Sequence, residues 1–147
     1  MADETRQQNR VGVRDDIFTD PLYPSEQVRL KGSKCRVCGE VFLGKYGSCG
    51  NCANADMEDV VLGDKGKLWT YTVIRNRPPG DYKGSDPFVP FGEGLIELPE
   101  GIRLLTPLTD CDIENLKIGT EWQLVVDVLY VDEEGNEVMS FKFKPIN

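Results

Sequence analysis

Hydrophobic and polar side chains alternate along KLWTYTVIR, residues 67–75. The even-numbered residues from Leu68 to Ile74 share one face of this segment, and the odd-numbered residues from Trp69 to Val73 share the other. A period of two in β-branched and aromatic residues is typical of a β-strand. The pattern therefore predicts that a strand opens the second part of the chain.

The segments that follow continue in strands and loops. Residues 75–94 are rich in proline and glycine and predict a long loop. Residues 95–108 are interrupted by Pro99-Glu100-Gly101, which predicts two short strands joined by a turn. Residues 121–131 and 138–144 predict a final pair of strands.

One short helix is expected between the two strand pairs. Thr109-Asp110 has the residue types of a helix N-terminus, and Gly119 is typical of the position just past a helix end. The order strand, loop, two strands, short helix, two strands is that of the OB-fold, a five-stranded Greek-key barrel. The predicted fold class is therefore mostly β.

Composition divides the chain into three parts. Residues 1–30 are polar and contain Pro21 and Pro24, which break any long helix. We expect an N-terminal arm here, either packed on its own domain or docked on a partner through Phe18 and Tyr23. Residues 31–60 form a glycine-punctuated cysteine module, and residues 61–147 form the OB-fold.

Two C-x2-C pairs give the cysteine module its chemistry. The four cysteines are Cys35, Cys38, Cys49 and Cys52. Two such knuckles supply four thiolates in a tetrahedron at about 2.3 Å from a metal, which is a closed structural zinc site. Gly39 suits the positive-φ turn that a knuckle needs, and Gly50 is expected to serve similarly in the second knuckle. The module is thus predicted to be a rubredoxin-like zinc ribbon.

Other chemistries of four cysteines fit less well. Disulfides need an oxidising compartment, and a thioredoxin-like pair needs a βαβ setting that the sequence lacks. Iron of the rubredoxin type takes the same four thiolates, and spacing alone does not separate it from zinc.

Charge and composition exclude several function classes. The 147 residues carry a formal net charge of -8 and contain no histidine, which removes Ser-His-Asp and Cys-His catalysis and histidine-ligated zinc. An acidic chain repels a phosphate backbone, so no nucleic-acid partner is expected. No apolar run approaches the ~20 residues that span a bilayer, and the polar start lacks a secretory signal. We therefore expect a cytoplasmic protein with no membrane partner, whose thiols stay reduced.

The loop at residues 75–94 gathers cations and aromatic rings. They are Arg75, Arg77, Tyr82, Lys83, Phe88 and Phe91. Cations can contact phosphates and an aromatic face can stack on adenine, so these residues are candidates for a nucleotide site. The alternative is a proline-stiffened loop that packs against a neighbouring protein or its own barrel.

Cys111 is the fifth cysteine and lies between Asp110 and Asp112. Two neighbouring carboxylates raise the pKa of a thiol and disfavour the thiolate. We therefore expect a buried residue at the start of the predicted helix and not a nucleophile.

Several motifs in this order resemble a known family. They are the four cysteines, Gly66 with Thr70–Val73, the turn Glu97–Gly101 and the step Ile118–Trp122. Over about residues 28–147 the chain resembles the acyl-CoA-associated zinc-ribbon and OB-fold family, known as the domain of unknown function 35.

This resemblance implies a non-catalytic companion subunit of a thiolase-superfamily enzyme in a hetero-oligomer. The partner would be a thiolase, a thiolase-like aldolase or a hydroxymethylglutaryl-CoA synthase. The barrel would lie beside the partner's CoA site, and Arg75, Arg77, Tyr82, Lys83 and Phe88 would contact acyl-CoA. The implied process is acyl-CoA degradation, with an aromatic substrate as the finer expectation.

Two other functions stay open. One is a nucleic-acid-binding module, because zinc ribbons and OB-folds both occur there. The other is a rubredoxin-like electron carrier with iron in the sulfur cage.

Overall fold

The structure is a computed structural model that describes residues 9–146. Within that range the elements are β1 (Arg10–Gly12), a 3-10 turn (Ser25–Gln27), β2 (Lys31–Cys35), β3 (Val41–Leu43), β4 (Met57–Val61), β5 (Lys65–Ile74), β6 (Phe91–Glu97), β7 (Arg103–Leu108), β8 (Glu121–Val131) and β9 (Glu137–Pro145). The described residues contain no helix that is long and apolar enough to cross a membrane.

Strands β5 to β9 form a closed five-stranded barrel. The strand order is β9, β7, β6, β5 and β8, and β8 pairs with β9 to complete the ring. Neighbours are antiparallel except β7 and β9, which meet in parallel where Leu108 faces Phe143. This connectivity confirms the predicted OB-fold and the mostly β fold class.

The cysteine module forms a small antiparallel sheet of its own. Strand β2 lies in the middle, with β3 on one side and β4 on the other. Only residues 62–64 separate β4 from β5, so the ribbon leads almost directly into the barrel. The predicted boundaries between arm, ribbon and OB-fold, at residues 30 and 60, stay a prediction.

A single cluster of apolar side chains joins the two sheets. Leu68, Ile96 and Phe143 are buried in the barrel, while Leu30 and Leu62 bring the ends of the ribbon into the same cluster. The Leu62 N–H also donates to the Leu30 carbonyl at 2.8 Å. Burying this shared surface is what stabilises the ribbon on the barrel.

The N-terminal segment packs on the rest of the chain. Strand β1 runs parallel to β9, and Phe18 is buried and pairs with Leu30. The guanidinium of Arg10 lies 4.9 Å from the ring centroid of Tyr23. Phe18 is therefore part of the chain's own core and is not exposed to a partner. Residues 1–8 of the predicted arm lie outside the described residues.

The segment between β7 and β8 differs from the predicted short helix. Residues 110–119 form successive turns. Asp112 accepts a hydrogen bond from the Glu114 N–H at 3.0 Å, as a helix cap would, and the Asn115 N–H closes one turn on the Asp112 carbonyl. The turn does not propagate, because so short a segment does not recover the cost of nucleating a helix. Burial of Leu116 against the barrel holds the segment instead.

A β-bulge changes the predicted faces of β5. The pairing with β6 shifts between Leu68 and Thr70, so Trp69 is an extra residue in the strand. One extra residue reverses the alternation beyond it. Val73 consequently packs against the core, where the unbroken pattern would have placed Thr72.

The long loop ends earlier than predicted. Strand β6 begins at Phe91, so the loop comprises residues 75–90. Phe91 to Gly94 pair with β5, which extends the hairpin into the segment that proline and glycine had marked as irregular.

Candidate functional site

The structure brings the four predicted cysteines together at the tip of the ribbon. Cys35 ends β2, Cys38 follows it in the turn to β3, and Cys49 and Cys52 lie in the loop between β3 and β4. The Cys35 and Cys52 sulfurs are 3.6 Å apart, and those of Cys38 and Cys49 are 3.5 Å apart. All four sulfurs lie within 4.8 Å of one another.

The two knuckles repeat one backbone design. In the first, the Cys38 N–H points at the Cys35 sulfur at 3.4 Å, and in the second the Cys52 N–H points at the Cys49 sulfur at 3.4 Å. The residue after each pair has a positive φ, 80° at Gly39 and 64° at Ala53. Gly39 behaves as the sequence predicted.

The expectation for Gly50 is wrong. The positive φ of the second knuckle falls on Ala53, after the second cysteine, as it does at Gly39. Gly50 lies inside the knuckle, and a Cβ there would make ordinary contact with the Phe42 ring at 3.6 Å. Correct alignment of the two C-x2-C pairs would have located the residue, although alanine gives no local signal for this conformation.

The sulfur geometry fits a tetrahedral metal. A tetrahedron with metal–sulfur bonds of about 2.3 Å has sulfur–sulfur edges of about 3.8 Å. The two short distances lie just below this edge, and the remaining separations of at most 4.8 Å bracket it from above. The donor set of four sulfurs suits zinc or iron and not a hard cation such as magnesium.

Hydrogen bonds to the sulfurs separate the pKa values of the two exposed thiols. The Glu40 N–H and then the Asn51 amide lower the pKa of Cys38 to about 6. The Asn54 N–H also lowers that of Cys52, but hydrogen bonds with the other thiols and burial outweigh it and raise the pKa to about 12. Four thiolates at this separation repel one another, and a divalent cation at the centre removes the repulsion. Such a site has all positions filled by protein and no position for substrate.

The aromatic residues of the loop pack on each other. The rings of Tyr82 and Phe91 stack with centroids 6.3 Å apart and 8° between planes. Phe88 meets the Phe91 ring edge-on at 6.2 Å. Because Phe91 is the first residue of β6, this cluster ties the loop to the barrel.

The two arginines at the start of the loop have carboxylate partners. Arg75 lies 3.3 Å from Glu114, and Arg77 lies 3.9 Å from Asp86. The Arg77 guanidinium also lies 5.5 Å from the ring centroid of Tyr82. All these charged side chains are well exposed, so the pairs are weak and can exchange for an anionic ligand.

Lys83 connects the loop to β8. Its ammonium lies 2.9 Å from Asp81 and 4.7 Å from the ring centroid of Tyr130. The hydrogen bond with Asp81 raises the pKa of Lys83. Lys83 therefore stays charged beside Tyr130 of β8.

A groove of about 630 Å³ runs between the loop and the barrel. Its wall includes Tyr82 and Lys83 of the loop, and Phe91, Asp127, Phe141 and Lys142 of the barrel strands. This volume is that of a small-molecule site. Of the candidate residues, Tyr82, Lys83 and Phe91 line it, whereas Arg75, Arg77 and Phe88 lie outside its wall.

The barrel side of this groove was missed by sequence reasoning. Lys142 lies 3.8 Å from Asp127 across β8 and β9, and both face the loop. A single charged residue on a strand carries no local signal of a site. Only the pairing of β8 with β9 places them beside the loop.

Cys111 is partly buried and packs against the core. Burial, and then the charges of Asp110 and Asp112, raise the pKa of its thiol. The thiolate is thus disfavoured, in agreement with the sequence prediction, although the residue starts a turn and not a helix.

Comparison with known proteins identifies a family and relatives that are similar to this chain. Residues 59–127 match the family described as ChsH2, C-terminal OB-fold domain. A DUF35 domain-containing scaffold protein of Methanothermobacter thermautotrophicus is 34% identical over 122 residues, which cover 82% of this chain and 89% of that protein.

Two further proteins are similar over much of the chain. The benzoylsuccinyl-CoA thiolase subunit BbsA of Thauera aromatica is 27% identical over 124 residues, covering 80% of this chain and 76% of that subunit. The solved structure of the Ltp2-ChsH2(DUF35) aldolase matches with a TM-score of 0.57 and 28% identity, covering 80% of this chain and 84% of that one. The resemblance read from the motifs is confirmed, and the chain belongs to the DUF35 family.

Proposed function

We propose that this chain is a non-catalytic, zinc-containing companion subunit of a thiolase-type acyltransferase. In this role it assists assembly of the complex and the binding of acyl-CoA during acyl-CoA degradation. The observation that carries the proposal is its similarity, over 80% of the chain, to a protein named as a benzoylsuccinyl-CoA thiolase subunit.

The chemistry of the chain supports a companion and not an independent enzyme. The sequence has no histidine, and the Cys111 thiol has a raised pKa. The cysteine cage would fill every coordination position of its metal with protein sulfur. The reacting groups would therefore come from the partner.

Zinc is the metal we propose for the cage, with a structural role. Its closed ligand set contributes folding energy to a ribbon whose own core is small. We expect about one zinc per chain by elemental analysis, loss of that zinc in Cys38→Ser, and full retention in the control Cys111→Ser. Stoichiometric iron with visible colour would favour the electron carrier instead. A cytoplasmic location belongs to the same proposal, because reduced thiols are available there.

Acyl-CoA is the ligand we propose for the groove beside the loop. Lys83 and Lys142 supply cations, and Tyr82, Phe91 and Phe141 supply an aromatic wall. This wall and the name of the Thauera aromatica relative support an aromatic acyl group. Arg75 and Arg77, whose ion pairs are exposed, are the phosphate contacts that we propose near the loop.

Co-expression tests the companion role. Tagged chain is expressed with each thiolase-superfamily enzyme of the source genome, and complexes are separated by gel filtration. We expect one stable pair whose thiolysis of acyl-CoA exceeds that of the enzyme alone. Full activity of every enzyme alone, with no complex formed, contradicts the proposal.

Titration with CoA tests the groove. In the purified complex, Lys83→Ala should weaken CoA binding by up to about fivefold, since an exposed charge contact contributes about 1 kcal/mol or less. Lys45→Ala is the matched control, because Lys45 is an exposed lysine of the ribbon. If the two variants bind CoA with equal affinity, the groove is not the acyl-CoA site. The companion role is not affected by that result.

A further inference from the structure

An apolar strip crosses the outer face of the barrel on β5, β6 and β7. Leu95 of β6 lies opposite Thr70 on one side and opposite Leu105 on the other. Directly opposed residues of antiparallel strands point to the same face. Leu105 is 65% exposed, while its neighbour Leu104 is buried in the core. The strip, defined here as Trp69, Leu95 and Leu105, therefore faces solvent.

Trp69 is held in place at one end of this strip. It is the extra residue of the bulge in β5, and it is 46% exposed. The Arg103 guanidinium lies 4.1 Å from its ring centroid, and the same guanidinium is 2.9 Å from Glu97. The indole thus has a fixed support on one side while almost half of the residue stays exposed, an arrangement that lowers the entropy lost on binding.

Barrel closure alone does not account for this arrangement. A bulge bends a strand and helps to close the barrel, but the bend does not require a tryptophan at the extra position. Single exposed apolar residues are common on protein surfaces. Here a Trp–Arg pair shares the outer face of three neighbouring strands with two leucines, and tryptophan and arginine are among the residue types that contribute most to protein–protein binding.

The charges around the strip distinguish between three kinds of binding partner: a second copy of this chain, a nucleic acid and a different protein. On the same face Glu97 lies between Lys67 and Arg103 and is neutralised, whereas Glu93 lies opposite Thr72 and Pro107 and has no cation directly across from it. Two copies of this chain, each with a net charge of -8, would bring two acidic surfaces and their Glu93 carboxylates together. A nucleic acid would bring phosphates against them. A different protein with an apolar pocket and a basic rim matches both features.

We propose that the strip of Trp69, Leu95 and Leu105 is the surface on which the thiolase-type partner docks. Trp69 enters an apolar pocket of the partner, and Glu93 faces basic side chains at the rim of that pocket. This inference rests on the proposed function and adds the surface that performs the assembly.

Binding of the identified thiolase-type enzyme to variants of the full chain tests the inference. Trp69→Ala should raise the dissociation constant at least about 30-fold, as expected for a hot-spot residue. Trp69→Phe, which keeps a ring on Arg103, should lose less. Glu93→Lys should weaken binding most at low ionic strength. Val131→Ala is the matched control, because Val131 is 60% exposed on the β8–β9 hairpin outside the strip.

The outcomes separate this inference from the proposed function. If the wild-type chain binds the enzyme and Trp69→Ala binds within twofold of Val131→Ala, docking occurs elsewhere and the companion role stands. If Trp69→Ala instead abolishes a self-association or oligonucleotide binding of the wild type, the occupant is different and the inference is wrong. If the wild-type chain binds no thiolase-superfamily enzyme, both proposals fail. Unchanged thermal unfolding of Trp69→Phe shows that the variant series reports on binding.

Discussion

Gly39 and Ala53 occupy the same position in the two cysteine knuckles, and exchanging their side chains tests the geometry of the cage. Their φ angles are 80° and 64°. A Cβ added to Gly39 meets no atom within 4 Å, so Gly39→Ala changes the backbone energy without a clash. An L-residue in the left-handed region destabilises the folded state by about 1–2 kcal/mol. Replacing glycine by alanine also lowers the conformational entropy of the unfolded chain, which offsets part of this destabilisation.

The two substitutions should therefore have opposite effects of similar size. We expect Gly39→Ala to lower the free energy of unfolding by about 1 kcal/mol and Ala53→Gly to raise it by about the same amount. If zinc binding and ribbon folding are coupled, each change should also alter the zinc affinity by about fivefold. The double variant should return close to the wild type.

Zinc competition with a chromophoric chelator and urea unfolding measure the two quantities. Gly47→Ala is the matched control, because a Cβ there also meets no atom within 4 Å and Gly47 lacks the positive φ. We expect this control to keep the wild-type affinity. Weaker zinc binding by Ala53→Gly, or Gly39→Ala behaving as Gly47→Ala does, would refute the assignment of strain to these positions.

Two further predictions concern the segments that fix the ribbon and the N-terminus to the barrel. The Arg10 side chain is 6% exposed and contacts Glu137, so Arg10→Met should cost about 3 kcal/mol in urea unfolding. The exposed Arg14→Met should cost less than about 1 kcal/mol, and equal losses would contradict the role of burial. The Gln123 hydrogen bond lowers the pKa of Asp64 below its unfolded value, so the stability that Asp64 contributes is present above about pH 4 and is lost as the pH falls through the folded pKa. Asp64→Asn should therefore show a shallower loss of stability in acid, measured by urea unfolding from pH 6 to pH 2, and an unchanged slope would contradict the shift.

Features encoded by neighbouring residues could be predicted from the sequence. The presence of a strand at β5, the turn at Pro99–Gly101 and the limits of β8 follow from local pattern, and the structure has them where expected. The four cysteines were predicted to converge because each C-x2-C pair is itself a local geometry. The position of such a cysteine cluster can thus be predicted from the local sequence, without knowledge of the rest of the fold.

Features that depend on distant strands could not be predicted. The bulge at Trp69 arises from the pairing of β5 with β6, and nothing in the segment 67–75 marks its position. Lys142 reaches the groove only because β9 pairs with β8. The segment after Asp112 has the residues of a helix start, yet the burial of Leu116 and its short length leave it as turns.

The link between ribbon and barrel explains how the structural metal that we propose would matter for the proposed assembly. Leu62 is buried between the two sheets, and the Asp64 carbonyl accepts a hydrogen bond from the Leu124 N–H at 2.7 Å. Residues 62–64 therefore have little freedom, and β5 begins at once with Lys65. Since β5 carries Trp69, any metal that folds the ribbon also restrains the strand on which the proposed docking strip begins. Loss of zinc should thus weaken partner binding through the position of β5, although none of the four cysteines belongs to the docking strip.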